Sequence, residues 1–178
     1  MQVQIKKLHP DFVLPEYKHP GDAGMDVRAL EIGTYMMFSN EHVDEDSQGF
    51  EFKVERDWEI GASDQKFITL ESGDRCSFRL GFATAIPPGY EVQLRTRSGL
   101  ALKQGLIVAN SPATIDEGYR GEYAVIILNA SKIPQVVERE ERIAQLVLKR
   151  VEAVEWAQTD DLGDTSRGEG GFGSTGIT

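Results

Sequence analysis

The chain has 178 residues and a net charge of −10, from 29 acidic and 19 basic side chains. Apolar residues make up 40%, a globular composition long enough for one domain with a sizeable core. The acidic excess argues against a protein that works by gripping nucleic-acid phosphates, and the lone Cys76 excludes an intrachain disulfide or a Cys-based zinc cluster. His9, His19 and His42 have no paired metal-ligand spacing. No apolar run reaches the roughly 18 residues of a membrane span, and MQVQIKKL does not read as a signal peptide. The expected setting is therefore reducing and cytoplasmic, without membrane or nucleic-acid partners.

In chain order the periodicity is that of strands. Val3 and Ile5 alternate with polar neighbours, and Phe50, Phe52 and Val54 alternate in FEFKVERD. Cys76, Phe78, Leu80 and Phe82 share one parity. A Pro87-Pro88-Gly89 turn precedes a further alternation from Tyr90 to Leu94. One short helix is expected over Gly99 to Lys103, with Ser98 as its N-cap. Tyr123 to Leu128 is a continuous apolar run, which predicts a strand buried on both faces. Turns are expected at Glu117-Gly118 and from Asn129 to Lys132. Ile143 to Val151 suits helix or strand, and its β-branched content favours strand. Many short strands with close turns predict an all-β sandwich, jelly roll or barrel.

Charge and glycine are unevenly spread. Residues 31–66 hold ten acids and three bases. They also hold Tyr35, Met36, Met37, Phe38 and Trp58. This is either a hairpin packing its own apolar residues on the barrel or a docking surface for a protein partner. The last twelve residues, RGEGGFGSTGIT, contain five glycines and cannot pack a core. They are either a disordered tail or an anion-binding segment in which Gly-rich backbone, Arg167, Ser174 and Thr175 donate to phosphate while Phe172 offers a flat face.

Taken singly, the other polar features are ambiguous. Arg97 and Ser98 at a helix start suit a phosphate or a capped helix. Asp116 before a Gly turn suits a general base or an Asx turn. Asp26 and Gln145 suit solvent-facing strand positions. Their order decides. AGMDVRA at 23–29, RSGLA at 97–101, TIDEGYRGE at 114–122, RIAQLV at 142–147 and RGEGGFGSTG at 167–176 resemble the five ordered motifs of the trimeric dUTPase family.

The resemblance covers about residues 1–30 and 67–178. It implies a distorted jelly-roll β barrel spanning 1–178, with 31–66 as an acidic insert and 167–178 as a mobile closing motif. It implies a homotrimer whose active sites draw on all three subunits. The implied reaction is Mg²⁺-dependent hydrolysis of dUTP to dUMP and pyrophosphate. On this pattern Asp116 activates the attacking water. Asn110 and the backbone from Ala113 through Thr114 and Ile115 read the uracil edge, and Tyr119 packs on the deoxyribose. Arg97, Ser98 and Gly99 hold phosphates, Gln145 and Asp26 reach the metal through water, and Arg167, Phe172, Gly173, Ser174 and Thr175 close over the nucleotide. The metal itself would sit mainly on phosphate oxygens and water.

Two departures stand out. Glu140-Glu141 replaces the usual Gly-Asp before Arg142, and Ala113 stands where a Gly is common. Rival readings are a dCTP deaminase-like relative, which needs a Glu that Ala124 to Leu128 lacks, a nucleotide-binding regulatory protein acting through the insert, and a jelly-roll interaction module with a disordered tail.

Overall fold

Gly81 breaks what reads in the sequence as one alternating run. Its φ is +76°, and a Cβ there would lie 2.6 Å from Leu30 Cδ1 and 2.8 Å from His9 Cβ. Only glycine meets both demands. The parity from Cys76 to Phe82 survives the break, and all four side chains are buried. The two halves nevertheless join different sheets.

The computed structural model describes residues 1–38, 50–54, 56–61 and 64–170. Among these, the strands are β1 (Gln4–Lys7), β2 (Met25–Arg28), β3 (Glu31–Phe38), β4 (Phe50–Val54), β5 (Glu59–Ile60), β6 (Lys66–Leu70), β7 (Arg75–Arg79), β8 (Phe82–Ala85), β9 (Tyr90–Arg95), β10 (Leu106–Val108), β11 (Ala113–Ile115), β12 (Ala124–Asn129), β13 (Gln135–Glu138) and β14 (Arg142–Arg150). The helix is α1 (Ser98–Gln104). The sheets run β10-β12-β7-β3-β4, β11-β9-β14-β2, β13-β6-β5 and β1-β8. Together they make the expected jelly-roll-like β fold. No helix among the described residues is long and apolar enough to cross a membrane.

Alternation explains the core. Ile68 and Leu70 from β6, Val92 and Leu94 from β9, and Val125 and Ile127 from β12 all point inward and are buried. Each such side chain contributes about 1.5–3 kcal/mol by leaving water. Burial also pushes the Cys76 thiol up to about 12, with a smaller opposing pull from Arg56. That thiol stays protonated and unreactive at neutral pH.

Two expectations are corrected, and a third question, left open in the sequence, is narrowed. β12 is buried on one face only: Val125, Ile127 and Asn129 point in, while Ala124 and Ile126 are exposed in the single chain. Ser98 is not the N-cap. Arg97 holds that position with an extended backbone and no side-chain cap bond, so Ser98 is the first helical residue. Of the two readings of 31–66, packing on the barrel is the one that the described aromatic residues fit. Tyr35 is 1% exposed, and Trp58 stacks near Phe78 with centroids 5.8 Å apart while its Nε1 donates to Leu30 O at 3.2 Å. The side chains of Met36, Met37 and Phe38 lie outside the described residues.

The Glu140 departure has a structural cost. Glu140 turns β13 into β14 with φ +67°. Its N–H donates to Ala29 O at 2.7 Å, and Arg28 Nη1 donates to its carbonyl at 2.6 Å. Both contacts are to backbone, so the turn holds a left-handed residue whatever its side chain. Left-handed backbone costs a non-glycine residue roughly 1–2 kcal/mol, partly offset by glycine's greater unfolded-state entropy. Glu140→Gly is therefore expected to stabilise the protein by about 0.5–1 kcal/mol, read by urea unfolding. A loss of stability would show that the Glu140 side chain holds the turn. Ala113, the other departure, carries no such cost: it is an ordinary β11 residue paired with Leu94.

Candidate functional site

The site residues fall into two groups on the sheet β11-β9-β14-β2. The first lies where β2, β14 and the end of β9 meet. Gln145 sits opposite Asp26 on β2 and opposite Arg95 on β9. Asp26 binds two arginines: Oδ1 accepts from Arg97 Nε at 2.9 Å, and Oδ2 from Arg142 Nη1 at 3.1 Å. Arg97 Nη1 also donates to Arg142 O at 2.7 Å. Asp26 and Arg97 are each about a quarter exposed or less, at 22% and 24%. Such charge-assisted bonds are strong, and they fix both guanidinium planes.

One carboxylate is thus shared by two guanidiniums, neither of which it neutralises alone. Ser98 and Gly99 follow at once, both exposed at the first turn of α1. Gln145 is locked by its amide, which donates to Thr96 O at 3.0 Å. Gly24 makes room for it, because a Cβ there would lie 2.7 Å from Gln145 Oε1. Glu141 is half-buried beside this cluster and accepts from Glu138 N at 3.1 Å. Burial raises its pKa most, Glu138 raises it further, and the backbone bond and Arg97 oppose the rise.

The second group lies at β11 and on the loop that leads from it to β12 in another sheet. Asn110 is exposed before a cis Ser111–Pro112 bond. Thr114 is exposed and Ile115 half-buried on β11. Asp116 follows, exposed, and its carbonyl accepts from Tyr119 N at 3.1 Å. Glu117 Oε2 accepts from Gly89 N at 2.7 Å, which ties the tip to the β8–β9 turn. Tyr119 donates its hydroxyl to Glu122 O at 3.0 Å and lies near the Tyr123 ring, centroids 6.3 Å apart. Glu122 accepts from Gly81 N at 3.0 Å. This loop presents an exposed carboxylate and an aromatic face, braced by these bonds.

The register separates the groups. Ile115 pairs with Val92, whereas Gln145 pairs with Arg95. At about 3.3 Å per residue, those rows are about 10 Å apart, and Asp116 lies a residue further away. Within one chain the carboxylate and the arginine cluster do not meet. Arg167 is in neither group: it lies in an exposed turn, Nε donating to Gly170 O at 2.9 Å. Phe172, Gly173, Ser174 and Thr175 lie outside the described residues.

Among the described residues, no three His, Cys, Asp or Glu side chains converge as a metal site. Asp26 already gives both oxygens to arginines. The sequence pattern gave no role to Arg142, Gly24 or Gly121. The signal for Arg142 was its place three residues before Gln145. The glycines showed only as the small residues inside AGMDVRA and TIDEGYRGE.

Comparison with known proteins gives one answer. The family model for dUTPase matches residues 44–176. The deoxyuridine 5'-triphosphate nucleotidohydrolase of Thermobifida fusca is 40% identical over 177 residues, 99% of this chain and 79% of that protein. The same enzyme from Solibacter usitatus is 39% identical, covering 99% of this chain and 97% of that protein. A mutant dUTPase of Staphylococcus bacteriophage 80alpha, solved with dUpNHpp, shares the fold with a TM-score of 0.71, 24% identity and 99% coverage of each chain. A mutant dUTPase of phage phi11 of S. aureus, described with a structural Mg(II) ion, matches with a TM-score of 0.66 and 19% identity over 92% of this chain and all of that one.

Proposed function

The chain belongs to the dUTPase family and is a dUTP nucleotidohydrolase, and from that premise we propose how its residues divide the work. Asp116 takes a proton from water, the water attacks the α-phosphorus of dUTP, and pyrophosphate leaves from dUMP. Arg97, with Ser98 and Gly99, holds the phosphates. Asn110 and the β11 backbone from Ala113 through Thr114 to Ile115 read uracil, and Tyr119 packs on the deoxyribose. A fixed edge of donors and acceptors can reject cytosine strongly, since a mismatched analogue leaves buried polar groups unpaired.

The observation that carries this reading is the Asp26–Arg97–Arg142 cluster. A triphosphate repels an anionic attacker, and fixed guanidiniums lower that barrier without reorganising during reaction. They supply local positive charge in a chain of net charge −10. Asp26 acts here by orienting arginines. Its reach to Mg²⁺, like that of Gln145, runs through water. The donor set fits a metal held by phosphate oxygens and water, as Mg²⁺ prefers. When bound, such an ion neutralises developing phosphate charge.

The homotrimer that the family resemblance implies is part of the same reading, and the separation of the two groups supports assembly from several copies. The carboxylate loop and the arginine cluster of one chain are about 10 Å or more apart, so each completes a site with another copy. The exposed apolar residues Ile126, Val154 and Trp156 suit burial between copies. The domain spans 1–178, with 31–66 as its acidic insert and 167–178 closing over bound nucleotide through Arg167, Phe172, Gly173, Ser174 and Thr175. The substrate suits a cytoplasmic location. With Tyr35 and Trp58 turned inward, no protein partner is proposed at the insert.

Pyrophosphate release tests the whole reading. With Mg²⁺, release is expected from dUTP and not from dCTP, dTTP or UTP. Equal release from UTP would remove Tyr119 from its sugar-sensing role. Release from dCTP would remove the uracil edge.

A further inference from the structure

Gly121 sits two residues after Tyr119, in the segment between the Asp116 turn and β12. It has no left-handed φ, so its backbone suits any residue. The space around it is another matter. A Cβ built on Gly121 would lie 2.5 Å from Tyr119 Cζ and 3.0 Å from Cε2, and nearest of all to the hydroxyl oxygen. The three nearest atoms all belong to Tyr119. The tyrosine ring lies folded back over the glycine, with its hydroxyl donating to Glu122 O at 3.0 Å. Gly118, in the same loop, differs: a Cβ there meets nothing within 4 Å.

A methyl group at 121 therefore acts on one side chain. Contacts under 3 Å are not tolerated, so the ring must swing outward or the hydroxyl must leave Glu122 O. Tyr119 is 44% exposed, which leaves it a route outward.

We propose that Gly121 is a positioning residue for sugar specificity: its missing side chain is the seat that holds the Tyr119 ring at the depth where it excludes a 2′-hydroxyl. This rests on the reading that Tyr119 packs on the deoxyribose. Glu122 shares the task. Its carbonyl holds the Tyr119 hydroxyl while its carboxylate is fixed by Gly81 N and lies 3.4 Å from Arg79 Nη1.

The test is the ratio of kcat/KM for dUTP to that for UTP, measured on the full chain. The proteins are wild type, Gly118→Ala, Gly121→Ala, Tyr119→Ala and the Tyr119→Ala/Gly121→Ala pair. Gly121→Ala is expected to lower the ratio by about tenfold or more, chiefly by admitting UTP. Gly118→Ala is expected to keep the wild-type ratio. In the Tyr119→Ala background, adding Gly121→Ala is expected to change nothing, because the methyl then has no ring to push. An unchanged ratio in Gly121→Ala overturns the proposal, as does a further drop of the same size in the Tyr119→Ala background. If Tyr119→Ala itself keeps the full ratio, the reading of Tyr119 fails and takes the proposal with it. If Gly121→Ala does not fold, the double variant decides. Folding there supports action through Tyr119. Failure there as well means that residue 121 needs glycine for another reason.

Discussion

Asp116→Asn is expected to bind dUTP with nearly wild-type affinity and to lose about 10²–10⁴ in kcat. The asparagine has the shape of aspartate but cannot take the proton of water. The loop should not change, because its turn uses the Asp116 carbonyl, which accepts from Tyr119 N. Glu117 stays tied to Gly89 N in either protein. Calorimetric titration with the non-hydrolysed analogue dUpNHpp separates binding from turnover. A variant that turns over normally would assign the base elsewhere. A variant that fails to bind would make Asp116 a binding group.

Tyr35→Ala is expected to cost about 3–5 kcal/mol of folding stability, in the range for a buried aromatic. Tyr35 is 1% exposed in the core. Its hydroxyl donates to Asp74 Oδ2, and Asp74 is itself 1% exposed. Asp74 also accepts from Glu71 N at 2.9 Å, so it pins the turn between β6 and β7. Burial raises the Tyr35 pKa, and the bond and charge of Asp74 raise it further, so the phenol remains a donor at all ordinary pH. The guanidinium of Arg56 lies over the ring, 4.6 Å from its centroid. Tyr35→Phe keeps the ring and removes one donor from a buried carboxylate, an expected cost of about 1–3 kcal/mol. Urea unfolding of both variants separates packing from hydrogen bonding. Equal losses would mean that the hydroxyl carries the whole effect, and no loss in either would make β3 an ornament.

That role for Tyr35 was not legible in the sequence. An aromatic in an acidic segment looks like surface. Its partner, Asp74, is 39 residues away. The failure is general in this chain. Local alternation announced β7 and β9, since each presents apolar residues at every second position, whereas only β-branched content favoured a strand at β14. It could not announce which strands pair. It also carried the run from Cys76 to Phe82 straight through Gly81, where the chain changes sheets. The apolar run of β12 suggested burial on both faces because a sequence does not distinguish the core from a face left open in one chain.

The candidate site divides the same way. Asp116, Arg97, Tyr119 and Gln145 stood in short motifs with recognisable order. Arg142 did not, because its role comes from Asp26, 116 residues away. Nor could chain order reveal that Asp116 and Arg97 lie on separate parts of one sheet. That follows from strand register, which is set across the sheet. Ser98 looked like a helix cap because its type suits one. The helix begins at Ser98 itself, and the cap position falls to Arg97, whose guanidinium is turned toward Asp26.

The pairing of β2 with β14 also has a consequence for the order in which the molecule is made. β2 spans Met25–Arg28, and its sheet partner spans Arg142–Arg150. During synthesis from the N-terminus, β2 emerges early and then waits for more than a hundred residues of chain. Non-local pairing of this kind makes folding slow and leaves strand edges open in the interval. β2 is short and carries Asp26 and Arg28, charges that blunt such an edge against wrong partners. Because Asp26 gathers its arginines only once β14 has docked, the phosphate grip is the last part of the sheet to exist. A nascent or truncated chain that ends before β14 carries Asp26 and Arg97 without the grip.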